Sequence, residues 1–376
     1  MKKDPSEYSD STFLTHPNSI PLSQTQSSGS TTPKQSSPRD GTAADKNILA
    51  NLLTSGLAGG IAGVAGKTCV APLDRVKILF QTHNPMFTRY IGSPVGFIHA
   101  IKHIIHHEGP FALFRGHSAT ILRNFPYAGI RFLSYEQIRT FLIPSKKFET
   151  SPRRFLSGSL AGGISVVFTY PLEVLRVRLA FATEGSGGSR SLVGIAKEIY
   201  REGTTETQHT GLISRLRSLA NFYRGFSPTM LGMIPYAGTS FLAHDAMGDL
   251  LRHPVLSQWT LAEIQGDSVT TTTGSGKRRL RWWAQLIAGG SAGLVAQTVS
   301  YPLEVIRRCM QVGYKAMKGS SSSGRRPRTH EVAKLIYMER GIRGFYTGLG
   351  IGFIKIVPMF AVTFFVYERV RAVFGV

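Results

Sequence analysis

PLDRVK (72–77), PLEVLR (171–176) and PLEVIR (302–307) are one motif written three times: a proline, an acid two residues on, and a base three residues after the acid. Repetition at long intervals marks a chain built from like units. The second interval is the longer one because a polar stretch, SQWTLAEIQGDSVTTTTGSGKRR (257–279), lies within it. Glycine pairs precede each proline at the same two distances: Gly59 and Gly63, Gly158 and Gly162, Gly289 and Gly293. Their G-x-x-x-G spacing inside an apolar helical pattern predicts close approach of another helix there. Downstream come EGPFALFRG (108–116), then Glu202-Gly203 with a polar insert before NFYRG (221–225), then RGIRGFYTG (340–348). A second apolar stretch with a proline follows in each copy: NFPYAGIRFLSYEQIR (124–139), MIPYAGTSFLAHDAMG (233–248) and IVPMFAVTFFVYERVR (356–371).

Each unit therefore reads as a long helix, a short amphipathic segment and a second long helix. The long segments are expected near 48–80, 117–142, 153–181, 226–251, 282–312 and 349–374. Most have the length to cross ~30 Å of hydrocarbon at ~1.5 Å per residue. None has twenty uninterrupted apolar residues, and the Gly, Ser, Thr and Arg within them fit a bundle with a wet interior. The short segments near 95–107, 191–201 and 329–339 are expected at one membrane surface. The fold expectation is an all-α membrane protein: six transmembrane helices in three pseudo-repeated two-helix units, forming a barrel with short surface helices. The units are placed at 46–145, 150–255 (polar insert near 204–220) and 282–376, with a polar linker at 256–281 and a Ser/Thr/Pro-rich tail at 1–45 expected to be disordered. An odd number of two-helix units puts both chain ends on one side and all three charged motifs at one membrane level.

Composition agrees with a polyanionic partner. Among 376 residues, 44 Lys and Arg face 22 Asp and Glu, a formal charge of +22 that suits nucleic acid, anionic lipid or a phosphorylated small molecule. A soluble nucleic-acid binder leaves six paired apolar segments unexplained, so no nucleic-acid partner is expected. The basic run KRRLR (277–281) abuts Trp282 and Trp283 and reads as a membrane-interface anchor. The tail lacks the apolar core of a signal peptide, and Asp4, Glu7, Asp10, Asp40 and Asp45 argue against an Arg-rich presequence. Cys69 and Cys309 suggest neither a disulfide framework nor a nucleophile. His99, His103, His106 and His107 cluster at helical spacing, but no further ligand completes a tetrahedral set except Glu108. No metal, cofactor or enzyme activity is expected.

A proline inside a helix removes one backbone hydrogen bond and bends the axis, so kinks are expected at Pro72, Pro171 and Pro302. After each, the acid and base share one helical face: Asp74 and Lys77, Glu173 and Arg176, Glu304 and Arg307. In a three-fold bundle the acid of one helix can meet the base of its neighbour, and three such pairs close a ring. Solvation of helix ends is the competing reading for one pair; three copies at equivalent places favour a gate. Each pair contributes only ~0–1 kcal/mol when exposed, so a ligand with differential affinity can open it. The second helices carry a weaker set: Tyr135, Glu136 and Arg139; Asp245, with Gly248 at its basic position; Tyr367, Glu368 and Arg371. At most two pairs can form there, a weaker barrier.

These motifs together resemble the mitochondrial carrier family, whose signature is P-x-[DE]-x-x-[KR] followed by [DE]-G and an aromatic-basic-Gly triplet. The resemblance covers roughly 48–374. It departs at Arg340 for the acid, Thr347 for the triplet base, the second-copy insert and Gly248. It implies a barrel in the mitochondrial inner membrane, both termini toward the intermembrane space, transport by alternating access, function as a monomer and contact with inner-membrane lipid such as cardiolipin. The proline motifs would form the matrix gate, braced by Gln81 and Gln311, with Ala180 unable to brace. Glu136, Asp245 and Glu368 would belong to the cytoplasmic gate. Substrate contacts would fall on Arg123, Gly232-Met233 and Lys355, with Arg131 nearby. A Gly followed by an aliphatic residue resembles carriers that hold adenine, although Gly232 can equally serve helix packing alone. Arg123, Arg131 and Lys355 would grip phosphates by charge-assisted bonds. RRCMQ (307–311) differs from the string of ADP/ATP exchangers, and nothing in the tail resembles a calcium-binding loop. CVAPLDRVKILFQT (69–82), NFPYAGIRFLSYEQIR (124–139) and YPLEVIRRCMQ (301–311) resemble the coenzyme A branch of the family. The expected substrate is coenzyme A or a related adenine nucleotide, such as ADP/ATP or adenosine 3′,5′-diphosphate.

Overall fold

A computed structural model describes residues 41–93, 95–144, 150–183, 191–202, 212–261, 280–313 and 328–374. The chain divides into two compact units, Met1–Ala50 and Asn51–Val376. The proline motifs and the helices around them belong to the second.

The regular structure among the described residues is helical, apart from one isolated antiparallel bridge between Leu261 and Leu280. Each repeat carries a long helix, a short one and a second long stretch. These are α1 (Gly41–Gln81), α2 (Gly96–Glu108) and α3 (His117–Leu142); α4 (Ser151–Phe181), α5 (Leu192–Arg201), α6 (Leu212–Ala220) and α7 (Phe226–Leu251); then, after α8 (Pro254–Thr260), α9 (Trp282–Val312), α10 (Thr329–Arg340), α11 (Leu349–Ile354) and α12 (Ile356–Val373). Helix α1 begins at Gly41, inside the stretch expected to be tail; residues 1–40 lie outside the described residues. The insert at 204–220 and the linker at 256–281 are described only in part. In both, that part is largely helical where the polar composition suggested loop: α6 presents Leu216 and Leu219 outward, and α8 ends in a buried Thr260.

Among the described residues, three stretches combine span length with apolar composition: Gly56–Gln81, Leu156–Phe181 and one within Thr329–Val373. Helices α3, α7 and α9 are less apolar, diluted by Gly, Ser, Thr, Pro and Gln as well as by charged residues such as Arg123. Large apolar side chains line the outside, Phe132 at 77 % and Ile234 at 72 % exposure among them, the surface a hydrocarbon solvent requires.

Helices α1, α4 and α9 run unbroken through Pro72, Pro171 and Pro302. The sixth long stretch does break, at Lys355 between α11 and α12. Pro358 has no N–H to give the carbonyl of Ile354, yet Pro126 and Pro235 at the matching places leave α3 and α7 continuous. In each repeat the short helix packs on the far end of the first long one: Val76 with Ile104, Val174 with Ile199, Val305 with Ile336.

The G-x-x-x-G expectation is not met in this state. A Cβ on Gly59, Gly63, Gly158, Gly289 or Gly293 would meet nothing within 4 Å, and on Gly162 only the Met233 methyl at 3.9 Å. Close approach occurs instead at Gly66, where a Cβ would lie 2.9 Å from the Met359 carbonyl of α12. The paired glycines precede the proline motifs by two turns or more, and the helices are clasped at the proline end.

Candidate functional site

The three acids and three bases meet across helices. Arg176 Nη2 of α4 lies 3.1 Å from Asp74 Oδ2 of α1, Arg307 Nη2 of α9 lies 3.2 Å from Glu173 Oε1 of α4, and Lys77 Nζ of α1 lies 3.0 Å from Glu304 Oε1 of α9. Each helix gives its base to one neighbour's acid and takes the other neighbour's base on its own, so the circuit closes. Beyond the ring, Ile78, Val177, Ala180 and Val312 form an apolar cluster from the same three helices. A layer of charge and a layer of hydrocarbon thus lie one after the other where the three helices converge.

The starts of the second helices press against this ring. Gly116, Gly225 and Gly348 adopt φ of +87°, +79° and +83°, the left-handed region that glycine occupies without strain. A Cβ on Gly116 would stand 2.8 Å from the Arg176 carbonyl, and one on Gly225 3.0 Å from that of Arg307. Each of these two glycines therefore seats its helix against the backbone of a ring base.

Gln81 donates to Glu304 Oε1 at 3.2 Å and to the Tyr301 hydroxyl at 3.0 Å. Gln311 donates to the Tyr170 hydroxyl at 3.1 Å and accepts from Arg308 at 3.0 Å. Ala180 contributes its backbone carbonyl instead.

The expected substrate residues lie at the same level. Arg123 Nη1 of α3 is 2.5 Å from Glu173 Oε2, and Lys355 Nζ is 2.6 Å from Asp74 Oδ1. Gly232 faces Leu303 of α9, 3.5 Å from a built Cβ to that side chain, and the Met233 methyl points toward Gly162 of α4. Position 232 follows Gly225 as 123 follows Gly116 and 355 follows Gly348, so Glu304 receives no third cation of this kind. Arg131 is exposed.

A family model described as "Mitochondrial carrier protein" matches residues 49–146, 148–254 and 278–376. The chain belongs to the mitochondrial carrier family. It is therefore a transporter of the mitochondrial inner membrane and not an enzyme. Mitochondrial carrier protein LEU5 of Saccharomyces cerevisiae is 48% identical over 339 residues, 89% of this chain and 94% of the relative. Human Solute carrier family 25 member 16, the Graves' disease carrier, is 36% identical over 326 residues, 86% of this chain and 88% of the relative. Mitochondrial carrier protein CoAc2 of Zea mays is 34% identical over 317 residues, 84% of each.

The second charged set of this carrier stands apart. Glu136, Arg139, Asp245, Glu368 and Arg371 are exposed, Tyr135 and Tyr367 half-buried, and among the described residues no ion pair joins the three acids to a base. One end of the bundle is clasped by ion pairs, while at the other these charged side chains are exposed.

Several functional side chains escaped the sequence reading. Arg308 reaches Glu173 Oε1 at 2.5 Å, so that acid serves three arginines. Lys67 of α1 donates to Asn124 Oδ1 of α3 at 2.9 Å, adding another cation near the ring. Tyr170 and Tyr301 anchor the two glutamines, and the Tyr-Pro dipeptide in two copies against Ala71-Pro72 in the first was the available signal.

Outside the spans, Glu108 bridges Arg75 at 2.8 Å and Arg115 at 2.9 Å. Glu202 bridges Arg178 Nη2 at 2.9 Å and Arg224 at 2.5 Å. Burial alone would raise the Glu202 pKa, but its bonds to Arg178 and the charges of Arg178 and Arg224 hold it below the usual carboxylate range. In the third copy Arg340 and Thr347 replace both acid and triplet base, so neither charge is left without its opposite. The histidines of α2 stack on one another, His103 and His107 at 4.3 Å between ring centroids. Among the described residues no three His, Cys, Asp or Glu are placed to hold a metal ion.

Proposed function

We propose that this carrier moves coenzyme A into the matrix by alternating access. The observation that carries the proposal is the meeting of Arg123 and Lys355 with the ring acids Glu173 and Asp74. Two cations beside a closed gate, with the opposite end open, form a well for a polyanion. A phosphate can take Arg123 and Lys355 from their carboxylates by charge-assisted hydrogen bonds, and each exchange removes one support from a gate acid. Coenzyme A carries both a 3′-phosphate and a diphosphate, enough to engage both cations and Lys67 or Arg131 besides. Gly232 leaves its place in the pseudo-three-fold set without charge or bulk, which suits the flat adenine ring, with Met233 beside it. The name CoAc2 of the maize relative accords with this choice.

In this reading the ring at Asp74, Glu173 and Glu304 is the matrix gate, and the set at Glu136, Asp245 and Glu368 is the cytoplasmic gate. Both termini face the intermembrane space, and the structure is the state open to that side. One chain supplies the whole ring, so a monomer suffices. Uptake into proteoliposomes tests the substrate, with coenzyme A, ADP, ATP and adenosine 3′,5′-diphosphate offered in turn. Coenzyme A should enter fastest; entry of ADP or ATP with coenzyme A excluded overturns the choice.

A further inference from the structure

The three seams of the ring are fastened unequally one turn beyond the ion pairs. At each seam a side chain donates to the backbone carbonyl seven residues after the next helix's acid. Between α1 and α4 the donor is Arg75, to Ala180 O at 3.2 Å; between α4 and α9 it is Arg178, to Gln311 O at 2.9 Å; between α9 and α1 it is Cys309, to Gln81 O at 3.3 Å. In the first two seams the donor is a guanidinium tied to a carboxylate, Glu108 or Glu202, that also holds the triplet arginine, Arg115 or Arg224. Arg75 and Arg115 cross to Ala182 O as well, at 3.0 and 3.3 Å.

The third seam has lost all three members of that knot together: Cys309 is a thiol, Arg340 stands where the carboxylate stood, and Thr347 where the triplet base stood. A thiol is a weak donor, and a charged guanidinium is a strong one. Gln81 does brace this seam, but its side chain turns back to Glu304 and Tyr301 at the ring itself. One turn further out, the thiol makes the equivalent contact alone.

We propose that the matrix end of the carrier parts first between α9 and α1, and that Cys309, Arg340 and Thr347 set that order. The inference rests on the alternating-access reading, since a seam has a role only if that end opens. Separation starts where the outermost fastening is weakest, and the α1–α4 and α4–α9 seams stay knotted until later. The three repeats then hinge as a pair against one, rather than dilating evenly.

Hydrogen exchange of the full-length protein in lipid nanodiscs, with no substrate added, tests this. The last turn of α1 should exchange about tenfold faster than the corresponding turns of α4 and α9, because local opening exposes it first. Equal exchange at the three turns, or greater protection at α1, overturns the proposal. The triple variant Cys309→Arg, Arg340→Glu, Thr347→Arg rebuilds the missing knot and should slow the α1 turn by a similar factor. A folded variant whose α1 turn is unchanged also refutes it. If that variant does not fold, the comparison of the three native turns decides alone. Exchange needs no transport: a fast α1 turn in a protein that moves no solute would sink the transport reading and leave the seam standing.

Discussion

Arg123 of α3 holds Glu173 of α4 with 2.5 Å between Nη1 and Oε2. The same carboxylate also takes Arg307 and Arg308. In the proposed reading the same cation serves both gate and substrate, and Lys355 stands in the same relation to Asp74. Truncating either should therefore harm transport far more than folding. Arg123→Ala leaves Glu173 two arginines, so the melting temperature should move little. Uptake of coenzyme A should fall roughly 100-fold, the scale of a lost desolvated charge contact. Lys355→Ala should behave alike. Native uptake rates in both variants, measured in proteoliposomes of matched protein content, would refute the phosphate grip.

Lys77 and Glu304 make the ring pair that closes the α9–α1 seam. Lys77→Glu sets two carboxylates against each other, and Glu304→Lys two ammonium groups. Each single variant should lose at least about tenfold in uptake, since an uncompensated charge in a buried pair costs about 3–5 kcal/mol. The double exchange restores opposite charges and should recover much of that loss. The cycle reads the coupling directly. A double variant no better than the worse single one would show that the two residues do not act as a pair.

How much of the carrier was legible before the structure turns on what a one-dimensional pattern can hold. Asp74, Glu173, Glu304 and their bases announce themselves because the same six-residue word recurs, and repetition places them at one level. Three-fold closure says that each acid meets a neighbour's base, but the structure alone shows which neighbour, Lys77 meeting Glu304 and not Glu173. Arg308 was passed over because it stands one residue off the repeated base. A long, flexible side chain nevertheless reaches the same acid from the neighbouring position. Arg75 and Arg178 were missed for a related reason: they occupy different places in their repeats, yet their guanidinium groups meet equivalent carbonyls. Equivalence of function there lies in space and not in the alignment.

The paired glycines went the other way. Their spacing promised close helix contacts, and in this state Gly63, Gly289 and Gly293 have nothing near. Small residues repeated in three copies with no present neighbour point to a neighbour in the other state, when the open end closes. Gly293→Leu should then leave this conformation intact, with a melting temperature equal to the parent's or slightly higher, because leucine favours helix over glycine by about 0.8 kcal/mol. Uptake should drop at least about tenfold. Uptake unchanged beside a normal melting temperature would mean that the glycines never meet another helix.

His83 offers a test just past the end of α1, outside the spans. It is 5 % exposed, and its backbone sits at φ +50°. Burial, with the charge of Arg340 adding to it, pushes its pKa from 6.5 down to about 4. The folded protein thus refuses a proton that the unfolded chain accepts. Above pH 6.5 neither state is protonated and the native fold keeps its full stability. As pH falls from 6.5 toward 4 the unfolded state gains a proton alone, and up to about 3 kcal/mol is lost across that window. His83→Asn removes the titrating group and keeps a residue that tolerates the left-handed backbone. Melting temperatures of the purified protein at pH 7.5 and 5.0 should show a larger fall for the parent than for this variant. Its arginine partners hold Glu202 below the usual carboxylate range, so it stays ionised at pH 5.0 and affects both proteins alike there. Equal falls in the two would place His83 in contact with solvent.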